Sequence, residues 1–248
     1  MRWTTEAQLK EAIVLCGGLA TRLRGVVDDR PKALVPVMGK PFLEWLILAL
    51  AKRHGIHRVI LATGYMGGQI EAHFGSSSWC GVALTFSREV TQLGTGGAWR
   101  LAATIAESQT LLTLNGDTYC RFDAGRLLKT HVDGRAKATL WLGPADEPRK
   151  YGRVVVDDLG EVKAFDEKPE LVGRYLASAG TYLIERDVTA LIPSGHQMSL
   201  EREVFPSLVG DGLYAVAGED SFFDIGTPES VSTADDSLAT ELSGLDCE

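Results

Sequence analysis

The sequence predicts an α/β fold: a mixed, mostly parallel sheet with helices on both faces, arranged as one domain. Three observations lead there. Short apolar runs alternate with segments whose apolar residues recur at helical spacing. The first run, Ala12 to Cys16, breaks into Gly17-Gly18, as a buried strand does when it ends in a tight loop. A later run, Thr110 to Asn115, stops at Gly116-Asp117. Both breaks fall where such sheets hold ligands, beyond the carboxyl ends of their strands.

The elements follow in order. Phe42 to Arg53 has helical spacing and follows a proline start signal at Pro41. Arg58 to Gly64 reads as a strand, Met66 to Phe74 as a short helix, Val82 to Phe86 as a strand and Gly97 to Ala106 as a helix. After Asn115 the pattern is less regular. Ala136 to Leu142, Arg153 to Val156, Val162 to Phe165 and Ala179 to Ile184 read as strands, with Asp157 to Gly160 as a hairpin turn. Leu200 to Leu208 is helical, with Pro206 a candidate early stop, and Val231 to Leu242 is a polar amphipathic helix or a frayed tail. No composition break divides the 248 residues. The expected layout is one domain with a first half over about 11–114, a second over about 115–230 and a tail over 231–248.

Composition narrows the function. The chain is 45% hydrophobic, enough for one well-packed core. A formal net charge of −8 argues against nucleic acid and anionic membrane as partners, so any phosphate-binding cations must be placed locally. The N-terminus lacks an apolar secretion core and no run reaches membrane-span length. Cys16, Cys80, Cys120 and Cys247 form no CxxC pair or zinc spacing, which predicts reduced thiols and a cytoplasmic protein. His54, His57, His73, His131 and His196 form no ligand spacing.

Phosphate chemistry concentrates between Leu15 and Lys32. Glycine backbone at Gly17 and Gly18 lets N–H groups converge on an anion, and Thr21, Arg22 and Lys32 add a hydroxyl and two cations. The loop is neither a Walker loop, which needs Gly-Lys-Ser/Thr, nor a three-glycine dinucleotide fingerprint. From the glycines alone a structural turn reads as well. Asp117 in LTLNGDT and Asp224 in FFDIGTPE each follow an apolar segment and precede a turn. Either suits a magnesium ligand; either equally suits a turn or cap. In EVTQLGTGGA, Glu89 to Ala98, Gly94 and Thr95 lie where backbone can approach a flat base edge, or where Thr95 caps a helix. Gln92 stands beside them, facing base or solvent. Glu167-Lys168-Pro169 taken alone is a surface charge run.

Taken together, GGLATRL and RPKALVPVMGKPFLEW resemble the signature of the sugar-1-phosphate nucleotidyltransferases. They are most similar to the bacterial D-glycero-D-manno-heptose 1-phosphate guanylyltransferases, with the mannose-1-phosphate guanylyltransferases nearby. The likeness runs from about Glu11 to Glu229. It implies a Rossmann-like, GT-A-like nucleotidyltransferase fold. It also implies a nucleoside triphosphate and a sugar 1-phosphate as substrates, pyrophosphate release, Mg²⁺ as cofactor and a possible homodimer. By this resemblance Asp117 and Asp224 hold the magnesium, and Leu15, Gly17, Gly18, Thr21, Arg22, Lys32, Gln92, Gly94 and Thr95 bind nucleotide. Lys168 holds the sugar phosphate and Glu167 a sugar hydroxyl. Asn115, Gly116, Tyr151-Gly152, Ser178-Ala179-Gly180 and Ser199-Leu200-Glu201 line the sugar pocket. The resemblance makes Arg22, Lys32, Asp117, Lys168 and Asp224 the catalytic set.

Two departures stand out: Ala20 replaces a family glycine, and Gln92 a family proline. GTP with a heptose 1-phosphate leads. Mannose 1-phosphate with GTP, other bases (UTP, ATP, CTP) and a non-catalytic nucleotide-sugar-binding subunit follow. A retaining glycosyltransferase ranks lower, since Asp157-Asp158 and Asp235-Asp236 lack Asp-x-Asp spacing. No hexapeptide repeat follows Glu229.

Overall fold

The computed structural model describes residues 9–19, 21–23, 27–75, 77–145, 153–166 and 175–247. The strands in chain order are β1 (Glu11–Leu15), β2 (Pro36–Val37), β3 (Lys40–Pro41), β4 (Arg58–Thr63), β5 (Ser78–Trp79), β6 (Val82–Arg88) and β7 (Thr110–Asn115). They continue with β8 (Thr118–Tyr119), β9 (Ala138–Ala145), β10 (Arg153–Val156), β11 (Val162–Asp166), β12 (Tyr175–Glu185), β13 (Leu213–Ala217) and β14 (Phe223–Asp224). The helices are α1 (Phe42–His54), α2 (Gly67–Phe74), α3 (Gly94–Ala103), α4 (Ala124–Asp133), α5 (Phe205–Ser207) and α6 (Pro228–Leu242).

β1 is central, parallel to β4 on one side and β7 on the other, and β6 continues the parallel run beyond β4. β12 pairs antiparallel with β7 and carries the sheet on to β9, β10 and β11. One mixed sheet, ordered β11-β10-β12-β7-β1-β4-β6-β5 with β9 and β13 branching from β12, thus runs through both halves. β1 shows why its residues make an inner strand. Ala12 and Val14 pack into the core that holds α1, whereas Ile13 packs into the core that holds Trp99 of α3. All three are fully buried, so the strand is apolar on both faces. α1 ends where Gly55 turns left-handed at φ 65° and its N–H closes on Ala51, with Lys52, Arg53 and His54 complementing the carboxyl end of the helix.

Several boundaries differ from the sequence reading. α3 begins at Gly94 rather than Gly97 because Gly94 takes φ +68° and the Gly96 N–H bonds Met198 O at 2.8 Å. Leu200–Val204 is a π-helical turn, and Pro206 lies in the first turn of α5, where its missing N–H costs nothing. α6 starts at Pro228, fixed by a capping box between Thr227 and Ser230. The expected reduced thiols are corrected at two positions: Cys80 and Cys247 form a disulfide, Cα–Cα 5.3 Å. The tail behind α6 brings them together, with Leu245 buried and Asp246 on Lys40 at 2.7 Å. Cys16 and Cys120 are buried free thiols.

The bridge closes a loop across 167 positions. Reduction, or Cys80→Ser, is expected to remove about 3–5 kcal/mol of stability and lower Tm by about 10 °C. Thermal scans with and without reductant read this. Identical midpoints would show that the two thiols are not joined in solution. Among the described residues no helix is long and apolar enough to cross a membrane.

Candidate active site

Four short segments from distant parts of the chain meet at the carboxyl end of the central strands. Lys32 opens a 3₁₀ turn, Lys32–Leu34. Its ammonium lies 2.6 Å from Asp117 Oδ2 and 3.4 Å from Asp224 Oδ1. Asp117 follows β7 across Gly116. Asp224 belongs to β14, which pairs antiparallel with β8 so that Asp224 stands opposite Thr118. This two-residue ribbon carries the late acid to the early one. Arg22 sits on the 3₁₀ turn Thr21–Leu23 and reaches the same point. A Cβ added at Gly226 would fall 2.3 Å from Asp224 Oδ1, 3.0 Å from Lys32 Nζ and 3.2 Å from an Arg22 guanidinium nitrogen. Gly226 is therefore the gap into which acid and cations close. Gly226→Ala is expected to cut turnover at least about tenfold with far-UV circular dichroism unchanged. Full activity in that variant would contradict the close approach.

The donor set suits a hard divalent ion. Two carboxylates already share one positive charge, and Asp117 opens into a cavity. Such an ion takes one or two carboxylates and completes its shell with phosphate oxygens and water. Among the described residues no group of three or more His, Cys, Asp and Glu side chains could hold a metal, so the described protein ligands would be these two.

The cavity, about 250 Å³, is lined by Leu15, Gly17, Gly18, Lys32, Gln92, Gly94, Thr95, Asn115, Gly116 and Asp117, and also by Glu89. The candidate nucleotide residues named here thus share one wall with Asp117. Gln92 is exposed at the cavity edge. Thr95 is not a helix cap: α3 has no side-chain cap, and the Thr95 hydroxyl instead donates to Glu201 at 2.7 Å. Gly94 is needed for space as well as for its φ, since a Cβ there would meet Met198 O at 2.6 Å.

Glu89 was not singled out by sequence. It extends just past β6, its Oε2 accepts the Leu93 N–H at 2.9 Å, and its Oε1 would be 2.3 Å from a Cβ at Gly64. Burial pushes its carboxyl above the ordinary glutamate range, the Leu93 amide partly opposing that. Cys16, beneath the glycine loop, gives its thiol proton to Ala62 O, and burial pushes its titration far up, so it offers no thiolate nucleophile.

Ser178 and Gly180 lie on β12, and a Cβ at Gly180 would press on Asn115 at 3.2 Å. Asn115 Nδ2 and Ser178 Oγ both reach the hydroxyl of fully buried Tyr182, at 3.5 and 3.4 Å. Tyr182 carried no sequence signal beyond strand alternation. Tyr151, Gly152, Glu167 and Lys168 lie outside the described residues.

Comparison with known proteins decides the family. The nucleotidyl transferase family model matches residues 11–241. The chain belongs to the nucleotidyl transferase family. Among relatives of this family, a mannose-1-phosphate guanylyltransferase of Mycobacterium tuberculosis is 39% identical over 88% of the chain and 62% of its own length. A D-glycero-alpha-D-manno-heptose 1-phosphate guanylyltransferase of Aneurinibacillus thermoaerophilus is 33% identical over 92% of the chain and 98% of its own length. The chain thus spans about three-fifths of the mannose relative and nearly all of the heptose one. HddC of Yersinia pseudotuberculosis, solved with GMP-PN, superposes with a TM-score of 0.79 at 28% identity, covering 93% of this chain and 100% of that one. A UDP-glucose pyrophosphorylase of Acinetobacter baumannii has the same fold, TM-score 0.79 at 20% identity, over 96% and 95% of the two chains.

Proposed function

We propose that this chain transfers a guanylyl group from GTP to a sugar 1-phosphate, releasing pyrophosphate and forming a GDP-sugar, with a heptose 1-phosphate as acceptor. The carrying observation is one cavity lined at once by Lys32, Asp117 and Glu89, with Asp224 on the same ammonium. Phosphate chemistry and base recognition then lie within one bound nucleotide.

Glu89 supports guanine. The Watson–Crick edge of guanine offers two adjacent donors, N1–H and the N2 amino group. A carboxylate accepts both and retains acceptor capacity beyond the Leu93 bond. Uracil offers one donor between two acceptors and would set an acceptor against Glu89. The heptose acceptor rests on the relative that matches this chain nearly end to end. Mannose 1-phosphate is the second reading, favoured by the higher identity of the Mycobacterium protein.

The reaction needs no protein nucleophile or general base. A sugar 1-phosphate is largely dianionic at neutral pH, its second pKa being about 6. One of its oxygens attacks the α-phosphorus in line. The new P–O bond forms as the bond to the β-phosphate breaks, and pyrophosphate takes the electron pair. Two polyanions must approach, so charge neutralisation and positioning dominate the barrier. Arg22 meets phosphate oxygens with a two-pronged guanidinium and Lys32 adds a point charge. Amides of the Gly17-Gly18 loop orient the triphosphate. Asp117 and Asp224 would hold Mg²⁺, which when bound would supply positive charge against the phosphates. From the family likeness, Lys168 receives the sugar phosphate and Glu167 a sugar hydroxyl, and Gly152, Ser178 and Gly180 belong to the same sugar-binding set. We place the reaction in the cytoplasm, where phosphorylated sugars are made; the Cys80–Cys247 bond is unusual for that compartment.

A matrix of five nucleoside triphosphates against heptose, mannose, glucose and N-acetylglucosamine 1-phosphates, scored by pyrophosphate release, tests this. GTP is expected to exceed every other base at least about tenfold in kcat/KM, with heptose 1-phosphate the best acceptor. Preference for UTP or dTTP would overturn the base assignment.

A further inference from the structure

Glu201 belongs to neither the phosphate nor the base machinery, yet its two oxygens tie together Thr95 of α3 and Tyr182 of β12. It sits on the π-helical turn Leu200–Val204, a rare geometry that often marks functional sites. Its Oε2 accepts the Thr95 hydroxyl at 2.7 Å and the Ser199 hydroxyl at 3.0 Å, while Thr95 Oγ1 accepts the Leu200 N–H at 2.9 Å. Its Oε1 accepts the Tyr182 hydroxyl at 3.2 Å.

A carboxylate has no proton to return. The single proton of Tyr182 is therefore committed to Glu201, and the phenolic oxygen can only accept. It does so from Ser178 Oγ and Asn115 Nδ2. Asn115, a residue of the cavity wall, must then turn its amino group toward Tyr182, which points its carbonyl oxygen the other way. That Oδ1 is buried and has no hydrogen-bond partner among the described residues. A buried acceptor without a donor is costly, and of the two substrates it is their hydroxyl groups that bring donors of the right size.

We infer that Glu201 is a positioning residue that, through Tyr182, fixes Asn115 as an acceptor for a substrate hydroxyl, and through Thr95 holds the base loop in register with it. The inference rests on the function proposed above for the identity of the substrate. The hydroxyl comes from the ribose or from the sugar 1-phosphate.

Two measurements test it with Tyr182→Phe, which keeps the ring, and Glu201→Gln. The first needs no substrate. The Asn115 side-chain amide protons, followed by NMR, exchange slowly in the wild type and at the rate of exposed amides in Tyr182→Phe. Unchanged protection overturns the wiring. The second compares kcat/KM for parent and deoxy substrates, using 2′- and 3′-deoxy-GTP in one series and monodeoxy sugar 1-phosphates in the other. One series loses at least about tenfold in the wild type and under about twofold in Tyr182→Phe, and that series names the hydroxyl. Glu201→Gln raises KM for both substrates, whereas Tyr182→Phe raises only that of the hydroxyl donor. Equal deoxy penalties in wild type and Tyr182→Phe in both series overturn the proposal, because a merely structural tyrosine would leave them equal. Absence of turnover with any triphosphate would instead count against the guanylyltransfer reading, and the exchange measurement would still decide the wiring.

Discussion

Asp117→Asn and Asp224→Asn are each expected to lower kcat for pyrophosphate release by about 100-fold or more, a loss of about 2.7 kcal/mol of transition-state stabilisation. The change removes a charge and keeps the shape. In the resting protein Lys32 lies between the two acids, at 2.6 and 3.4 Å, and each acid supplies part of the negative potential that would retain a divalent ion. With one carboxylate gone, the ammonium is shared with a single acid, and a bound divalent ion would lose one of its two proposed ligands. Asp224 is the less forgiving site, being 8% exposed, so a neutral amide there has little water to compensate it. Steady-state pyrophosphate release measures the loss, with thermal midpoints to show that the variants are folded. Wild-type rates in either would remove that acid from the mechanism.

Glu89→Gln is expected to lower kcat/KM for GTP by at least about 30-fold, about 2 kcal/mol, and to raise UTP use relative to GTP. An amide can accept one guanine donor but sets its own amino group against the other; toward uracil it pairs donor with acceptor and acceptor with donor. The same residue gives a pH signature. Burial raises the Glu89 pKa above the ordinary glutamate value of about 4.3. Ionising it in the free protein therefore costs stability: that contribution is most favourable below the unfolded-state value and is lost as pH rises through the raised one. Guanine recognition runs the opposite way, since the base needs the carboxylate. KM for GTP should climb as pH falls through the raised Glu89 value, and in Glu89→Gln that climb should vanish. A pH profile of KM identical in the two enzymes would take Glu89 out of base selection.

The parts legible from sequence are those whose residues obey a local rule. β1 and β7 are apolar runs cut by glycine, and the structure sets both acid-bearing or glycine-bearing breaks at the same sheet edge. Other features obey no local rule. β8 and β14 are two residues each, and two residues cannot display a period; their pairing, which carries Asp224 to Asp117, is decided by tertiary packing. Glu89 looks in sequence like any charge after a strand. Its place in the cavity wall becomes visible only once Gly64 and Gly17 are seen packed against it. Cys80 and Cys247 are 167 positions apart, beyond any spacing motif. Glu201 and Tyr182 meet across separate elements, so their shared proton could not be read from either segment.

Asp117 and Asp224 are expected to serve one cation. The double variant Asp117→Asn/Asp224→Asn measures it most directly. If both acids hold one ion, kcat of the double variant falls within about threefold of the worse single variant, because the second loss acts on a site already lost. If the two losses multiply in full, the acids act independently, and the single-ion site is contradicted.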